Sequence, residues 1–243
     1  MKELFLSIKI IAIFGSIVFG VAIACFGIEG PKKNDTAFIS NIDAGNVRMV
    51  IDTFSSCLDV KTHLPCGWHA DRRDATVFSL EHENGNYFVK IKTKGGTAAI
   101  AKSFPIDCKA TPYLHWSWRA HVLPEEGNEN IKKKDDSGAS VYVFFPGPLM
   151  LKKIVKYVWS TTLAPGTRTV SPFYFNLKVV VLRSGSDSLG KWVHETVNVF
   201  DDYTKFFGSP PDKAMGIALL SDGDNTNSSA EADYDDFYIS ARP

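Results

Sequence analysis

Leu114-His115-Trp116-Ser117-Trp118-Arg119-Ala120-His121-Val122 alternates without a break between apolar and polar side chains. Successive side chains of an extended strand point to opposite faces. Leu114, Trp116, Trp118, Ala120 and Val122 therefore share one face, and His115, Ser117, Arg119 and His121 the other. A slip of one residue would place two indoles in water, so the register of this strand is firmly held. The stretch predicts a strand with a dry tryptophan face and a polar opposite face.

Working outward, apolar residues from Val47 onward recur with period two or in short blocks, which is strand behaviour. The spacing predicts strands over Val47–Phe54, Tyr87–Thr93, Ala98–Ser103, Ser140–Phe145, Val155–Trp159, Phe173–Arg183, Lys191–Asn198, Met215–Ser221 and Asp233–Ser240. Turn-forming clusters separate them, such as Glu83-Asn84-Gly85-Asn86, Ser184-Gly185-Ser186-Asp187 and Asp222-Gly223-Asp224-Asn225. Two segments read as helical: Asp201–Phe207, capped by Asp201 and stopped by Gly208, and a turn within Leu149–Ile154. Without helical crossovers this many strands cannot make a parallel sheet. The expected fold is all-β, an antiparallel β-sandwich or jelly roll, in one domain over residues 47–243.

Composition narrows the function classes. The 27 basic and 27 acidic side chains cancel, so the overall field that holds nucleic acid is missing, and no nucleic-acid partner is expected. Aromatic residues reach 12%, with 17 Phe, 8 Tyr and 5 Trp, a richness that suits sheets.

The amino terminus reads as an export or anchor signal. Lys2 and Lys9 precede Ile10 to Ile28, which carries no charge, and Ala22 and Ala24 form an A-x-A site just before Cys25. Three readings stand: cleavage after Ala24, lipid attachment at Cys25, or an uncleaved membrane anchor. Each makes residues 1–24 a signal peptide or anchor and puts the remainder outside the cytoplasm, in the periplasm or anchored facing it. Residues 25–46 lack periodicity and read as a tether. Cys57 and Cys66 are spaced for a short disulfide loop, leaving Cys108 as an odd thiol; His63 and His69 nearby lack the spacing of a zinc site.

The second half of the chain resembles the bacterial domain of unknown function 3047. The resemblance rests on Leu114 to Arg119, Asp135-Asp136 before Val141 to Phe145, and Lys156-Tyr157-Val158-Trp159. It continues through Val181-Leu182-Arg183-Ser184-Gly185, Lys191-Trp192-Val193-His194-Glu195, Asp202-Tyr203, Phe207-Gly208, Gly216-Ile217-Ala218 and Ser221-Asp222-Gly223-Asp224-Asn225-Thr226. Order and spacing fit from about Phe54 to Ile239, with departures at Val197 and Ser221. The resemblance implies exported bacterial proteins with a sandwich similar to galactose-binding-type domains, and no agreed activity.

Two groups of side chains are candidates for chemistry. His115, Arg119 and His121 line the polar face of the Trp strand, joined from neighbouring strands by Tyr142, His194 and Glu195, with Lys178 a further candidate. Such a face can hydrogen-bond hydroxyls while rings stack on a sugar's C–H surface. Asp222, Asp224, Asn225, Asp235 and Asp236 gather hard oxygen donors and suit a structural calcium, although the spacing is not that of an EF-hand. No other cofactor is expected. Arg119 and Arg183 are each placed to grip a carboxylate, with Asp136 or Asp236 as partners.

Recipes for catalysis are missing. Ser184-Gly185-Ser186 is not a nucleophile elbow, and His194-Glu195 lies on a strand without the second histidine of a zinc protease. The leading expectation is an exported, noncatalytic sandwich that binds a glycan or other cell-envelope ligand. The alternatives are an exported polysaccharide hydrolase or lyase that pairs Glu195 with Asp136, Asp224 or Asp236, and an envelope scaffold protein.

Overall fold

The computed structural model describes residues 40–43, 46–55, 57–59, 62, 64–70 and 77–243. The signal segment with Ala22, Ala24 and Cys25, most of the tether and His63 lie outside the described residues. Among the described residues no helix is long and apolar enough to cross a membrane.

Two seven-stranded sheets enclose a common core. The first sheet holds β1 (Ser40–Asp43), β2 (Asn46–Asp52), β4 (Phe78–Glu83), β5 (Asn86–Lys94), β7 (Tyr113–Val122), β12 (Val193–Asn198) and β14 (Ser229–Ser240). Strand β14 organises it. One edge of β14 pairs with β7, while the other pairs first with β5 and then with β2. The second sheet runs β10 (Arg168–Val170), β11 (Leu177–Ser184), β9 (Lys153–Ser160), β8 (Ala139–Phe145), β13 (Lys213–Asp222), β6 (Thr97–Asp107) and β3 (Trp68–Ala70). Disulfide-bonded Cys57 and Cys66 close a loop just before β3, and Cys108 is a buried free thiol.

The all-β expectation holds, with local differences. Strands β9 and β11 are parallel, because residues 161–176 between them are long enough for the crossover that parallel neighbours need. Strand β11 begins at Leu177, not Phe173, and the short strands β1, β3, β4 and β10 add to those expected. The helix α1 spans Val199–Phe207, and its cap is Asn198, whose side chain accepts from the Asp201 amide. Asp201 instead sits in the first turn, while Gly208 takes the left-handed conformation that stops the helix.

Leu114, Trp116, Trp118 and Ala120 are fully buried, as the alternation of the Trp strand requires. The two indoles meet edge to face at 5.4 Å, and Trp159, Tyr157 and Phe237 complete the layer at 6.0, 5.7 and 6.3 Å. Polar groups at the core tie the two sheets together. Trp118 Nε1 donates to Glu195 Oε1 at 3.0 Å, and Arg183 from the other sheet donates to the same oxygen at 2.7 Å. Tyr234 Oη donates to the Leu220 carbonyl and accepts from the Ser140 amide, again joining the sheets. Trp68 Nε1 and Lys102 Nζ of the second sheet both donate to Asp52 of the first.

Truncating Trp118 removes a large core ring and one donor to Glu195. Trp118→Ala is expected to lower the unfolding free energy by about 3–5 kcal/mol. Urea titration checks this as a fall in midpoint at unchanged slope.

Candidate functional site

The outer face of the first sheet is a grid set by strand register. Strand β12 contributes Trp192 just ahead of its start, then His194 and Thr196. Strand β7 places Ser117 beside His194 and His115 beside Thr196, with Arg119 beyond. Strand β14 sets Asp233 opposite Arg119, Asp235 opposite Ser117 and Tyr238 opposite His115. A bulge at Asp236, which holds φ +56°, makes up the extra residue and keeps Tyr238 facing outward.

Two stacks rise from this grid. In one, the Arg119 guanidinium lies 4.7 Å from the Trp192 ring and 5.3 Å from Phe88, while Trp192 and Phe88 meet edge to face at 5.3 Å. Arg119 also donates to buried Asp233 at 2.8 Å and pairs with Glu83 at 2.9 Å. His121 Nε2 lies 2.6 Å from the same Asp233 oxygen. In the other stack, Arg48 covers Tyr238 at 3.6 Å, and Tyr238 stacks on His115 at 4.2 Å. His194, exposed at the edge, lies 5.9 Å from His115.

His115, Arg119, His121 and His194 thus come together on one face. His115 is buried, and its ring nitrogens meet Thr196 Oγ1 and Ser240 Oγ at 2.9 and 2.7 Å. Burial, with the neighbouring His194 and Arg48, lowers its pKa to about 4. Burial also raises Asp235 to about 7. Glu195, next to His194 in sequence, points the other way and is spent between the sheets on Trp118 and Arg183. Tyr142 is buried on the far face of the second sheet, where the Lys156 ammonium lies 5.5 Å from its ring. Lys178 stands in the second sheet too, over Phe207. The carboxylates gripped by Arg119 and Arg183 are Asp233 and Glu195, in place of the expected Asp136 or Asp236.

The acidic residues divide between two places. Asp235 and Asp236 belong to the bulge on the first sheet, where Asn86 Nδ2 donates to Asp235 at 2.6 Å. Asp222, Asp224 and Asn225 stand at the end of β13 and meet Asp136 from the loop before β8. One oxygen each from Asp136, Asp222 and Asp224 lies within 4.8 Å of the others. Burial, then the charges of Asp224 and Asp136, push the Asp222 carboxyl well above its ordinary range. Calcium takes about six to eight oxygens, and the corner does not offer them freely. Both Asp136 oxygens already accept from the amides and side chains of Asn225 and Thr226, at 2.6 to 3.1 Å. The corner therefore fits a loop-closing turn better than an ion site.

Behind it, Lys156 is buried among acids, with Nζ 3.0 Å from Ser137 Oγ and 4.0 Å from Asp135 Oδ1. Burial opposes its charge, but Tyr142, Asp135, Glu129 and Asp222 outweigh that and raise its pKa.

The family model described as "Protein of unknown function (DUF3047)" matches residues 67–238. The chain belongs to the DUF3047 family. Among curated proteins none matches it. Solved structures similar to this DUF3047 protein include the family 30 carbohydrate-binding module of a cellulosomal cellulase from Clostridium thermocellum. It shares 12% identity at a TM-score of 0.36, over 67% of this chain and 81% of that one. A point mutant of a family 29 carbohydrate-binding module complexed with cellulohexaose shares 11% at 0.36, over 81% and 92%. Endoglucanase 3 of Trichoderma harzianum, from family GH12, shares 8% at 0.37, over 67% and 81%. These likenesses concern the β-sandwich shape alone.

Reading single strands did not place Trp192, Phe88, Tyr238 or Arg48 on this face of the DUF3047 protein, and it grouped Asp233 with the acidic cluster instead of with Arg119. Alternation through Trp192-Val193-His194 does put Trp192 on the histidine face. The partners from β2, β5 and β14 depend on pairings between distant strands, which no local pattern carries.

The His115 shift has a definite sign. Its folded value of about 4 lies below the ordinary 6.5, so in acid the unfolded chain binds a proton that the folded chain refuses. Its neutral state adds no penalty above pH 6.5, and stability is lost as pH falls from about 6.5 toward about 4. Urea titrations across that window are expected to show a shallower pH slope for His115→Gln than for the native protein.

Proposed function

We propose that this DUF3047 protein is an exported, noncatalytic β-sandwich that binds a glycan of the cell envelope on the outer face of its first sheet. The observation that carries the reading is Trp192, 37% exposed and propped by Arg119 on the same face as exposed His194 and Thr196. A sugar's C–H face stacks on such an indole, while its hydroxyls reach the His194 ring, Ser117 and Thr196. The groups beneath are already engaged. Arg119, His121 and Asp233 hold one another, and His115 is pinned by Thr196 and Ser240, so they stiffen the platform instead of reaching for ligand. The hydrolase alternative has less support, because Glu195 is committed to Trp118 and Arg183 and Asp136 to Asn225 and Thr226.

Calorimetric titration with oligosaccharides released from bacterial envelope polysaccharide tests the reading. Binding is expected to weaken at least about tenfold in Trp192→Ala and to persist in Tyr142→Phe on the opposite sheet. A native protein that binds no saccharide at millimolar concentration, or that turns one over, overturns it. Export through residues 1–24 belongs to the same proposal, and fractionation with amino-terminal sequencing of the mature chain checks it.

A further inference from the structure

Four of the large apolar side chains that stand in solvent are concentrated at one end of the second sheet. Leu149 is 92% exposed and Leu151 44%, both in the β8–β9 connection; Val170 is 42% and Phe175 67% exposed, around the β10–β11 connection. The two connections are tied together, with Tyr174 Oη donating to the Lys152 carbonyl at 2.6 Å and the Ile154 amide to the Asn176 carbonyl at 2.9 Å. They form one built feature.

Leu149 adopts φ +53°, a left-handed conformation that a branched apolar residue rarely takes. Its side chain gains no packing in return. Gly147 makes the tight turn feasible, because a Cβ there would collide with the Leu151 carbonyl.

Lysines gather at the tip. Residues 137–186 contain no Asp or Glu; of their basic side chains, Lys156, Arg168 and Arg183 are engaged by acids from elsewhere in the fold, while Lys152, Lys153 and Lys178 stand at the tip. Lys152 sits in the tip itself, and Lys153 and Lys178 flank it over the rings of Phe207 and Tyr203. The nearest acids belong to other elements: Asp107 to β6, Asp212 to the lead-in to β13, and Asp201 and Asp202 to α1, where Asp202 is held by Arg168. Aliphatic side chains that protrude within a lysine collar suit the boundary between lipid headgroups and acyl chains, where apolar groups insert and lysines meet anionic headgroups. A glycan would instead need exposed flat rings, and the tip offers one.

We propose that this tip docks the domain on a membrane surface that contains anionic lipid, with Leu149, Leu151 and Phe175 inserted and Lys152, Lys153 and Lys178 at the headgroups. The site is separate from the outer face of the first sheet and does not depend on glycan binding.

A local reporter tests it, since the apolar stretch Ile10–Ile28 can itself bring the full chain to vesicles. In the full chain, Phe175→Trp adds an indole at the tip, while Trp68, Trp116, Trp118 and Trp159 are buried and Trp192 lies on the other sheet. With vesicles of phosphatidylglycerol and brominated phosphatidylcholine, the added emission is expected to shift blue and be quenched. Adding Leu149→Asp to that variant should abolish both effects; at 92% exposure the change leaves the fold intact. No added quenching, or equal quenching when phosphatidylglycerol is omitted, overturns the proposal. So does a tip that self-associates, seen as a sedimentation shift that Leu149→Asp removes.

Discussion

A closed aromatic interior needs partners for the polar edges of its rings, and here the bonds that supply most of them tie one sheet to the other. Trp118 needs an acceptor, Glu195 supplies it, and Glu195 in turn needs the guanidinium of Arg183. Tyr234 must reach Leu220 and Ser140, and Trp68 shares Asp52 with Lys102. Tyr157 donates to Asp202 of α1, whose other oxygen takes Arg168 from β10. Apolar burial would tolerate sliding of one sheet over the other, whereas directional bonds at 2.5 to 3.1 Å would not. Trp116 is the exception, its Nε1 without a partner. Its ring contacts with Trp118, Tyr157 and Phe237 must outweigh an unmade bond worth about 1–3 kcal/mol.

That constraint also decides which polar residues remain for a ligand. Glu195 is drawn inward because Trp118 demands it, and Tyr142 is enclosed on the far sheet with Lys156. Arg119 and His121 are both held by the buried Asp233. Left facing water on β12 are Trp192, His194 and Thr196. Available chemistry is thus a remainder after the interior has been satisfied.

The Trp strand was legible because a period-two pattern with two indoles admits one register. The same pattern says that His194 and Glu195 face apart, but not which of them faces inward; that depends on β12 pairing β7. The bulge at Asp236 was illegible for a related reason, since the sequence shows only consecutive acids while the inserted residue is defined by its partner strand. Parallel β9 and β11 escaped because nothing local in residues 161–176 marks a crossover. The acidic motif at Asp222 was visible as composition. Its meaning changed once Asp136 arrived from the β7–β8 connection and filled its carboxylate with the amides of Asn225 and Thr226.

Zero net charge conceals a polarity along the second sheet. Strand β13 begins at Lys213, on the side of the apolar connections, and ends at Asp222 beside Asp136 and Asp224. Ten strand residues separate these ends by roughly 30 Å, several screening lengths at physiological salt. Each end is therefore felt separately by its surroundings, and a summed charge of zero says nothing about either. An anionic surface that attracts the lysine end is too far from the acidic corner to repel it. The outer face of the first sheet runs alongside this axis instead of capping it, so a domain seated on its tip would keep Trp192 and His194 open to solvent. Under these two proposals, surface attachment and ligand capture would act through different faces, linked by the interior between them.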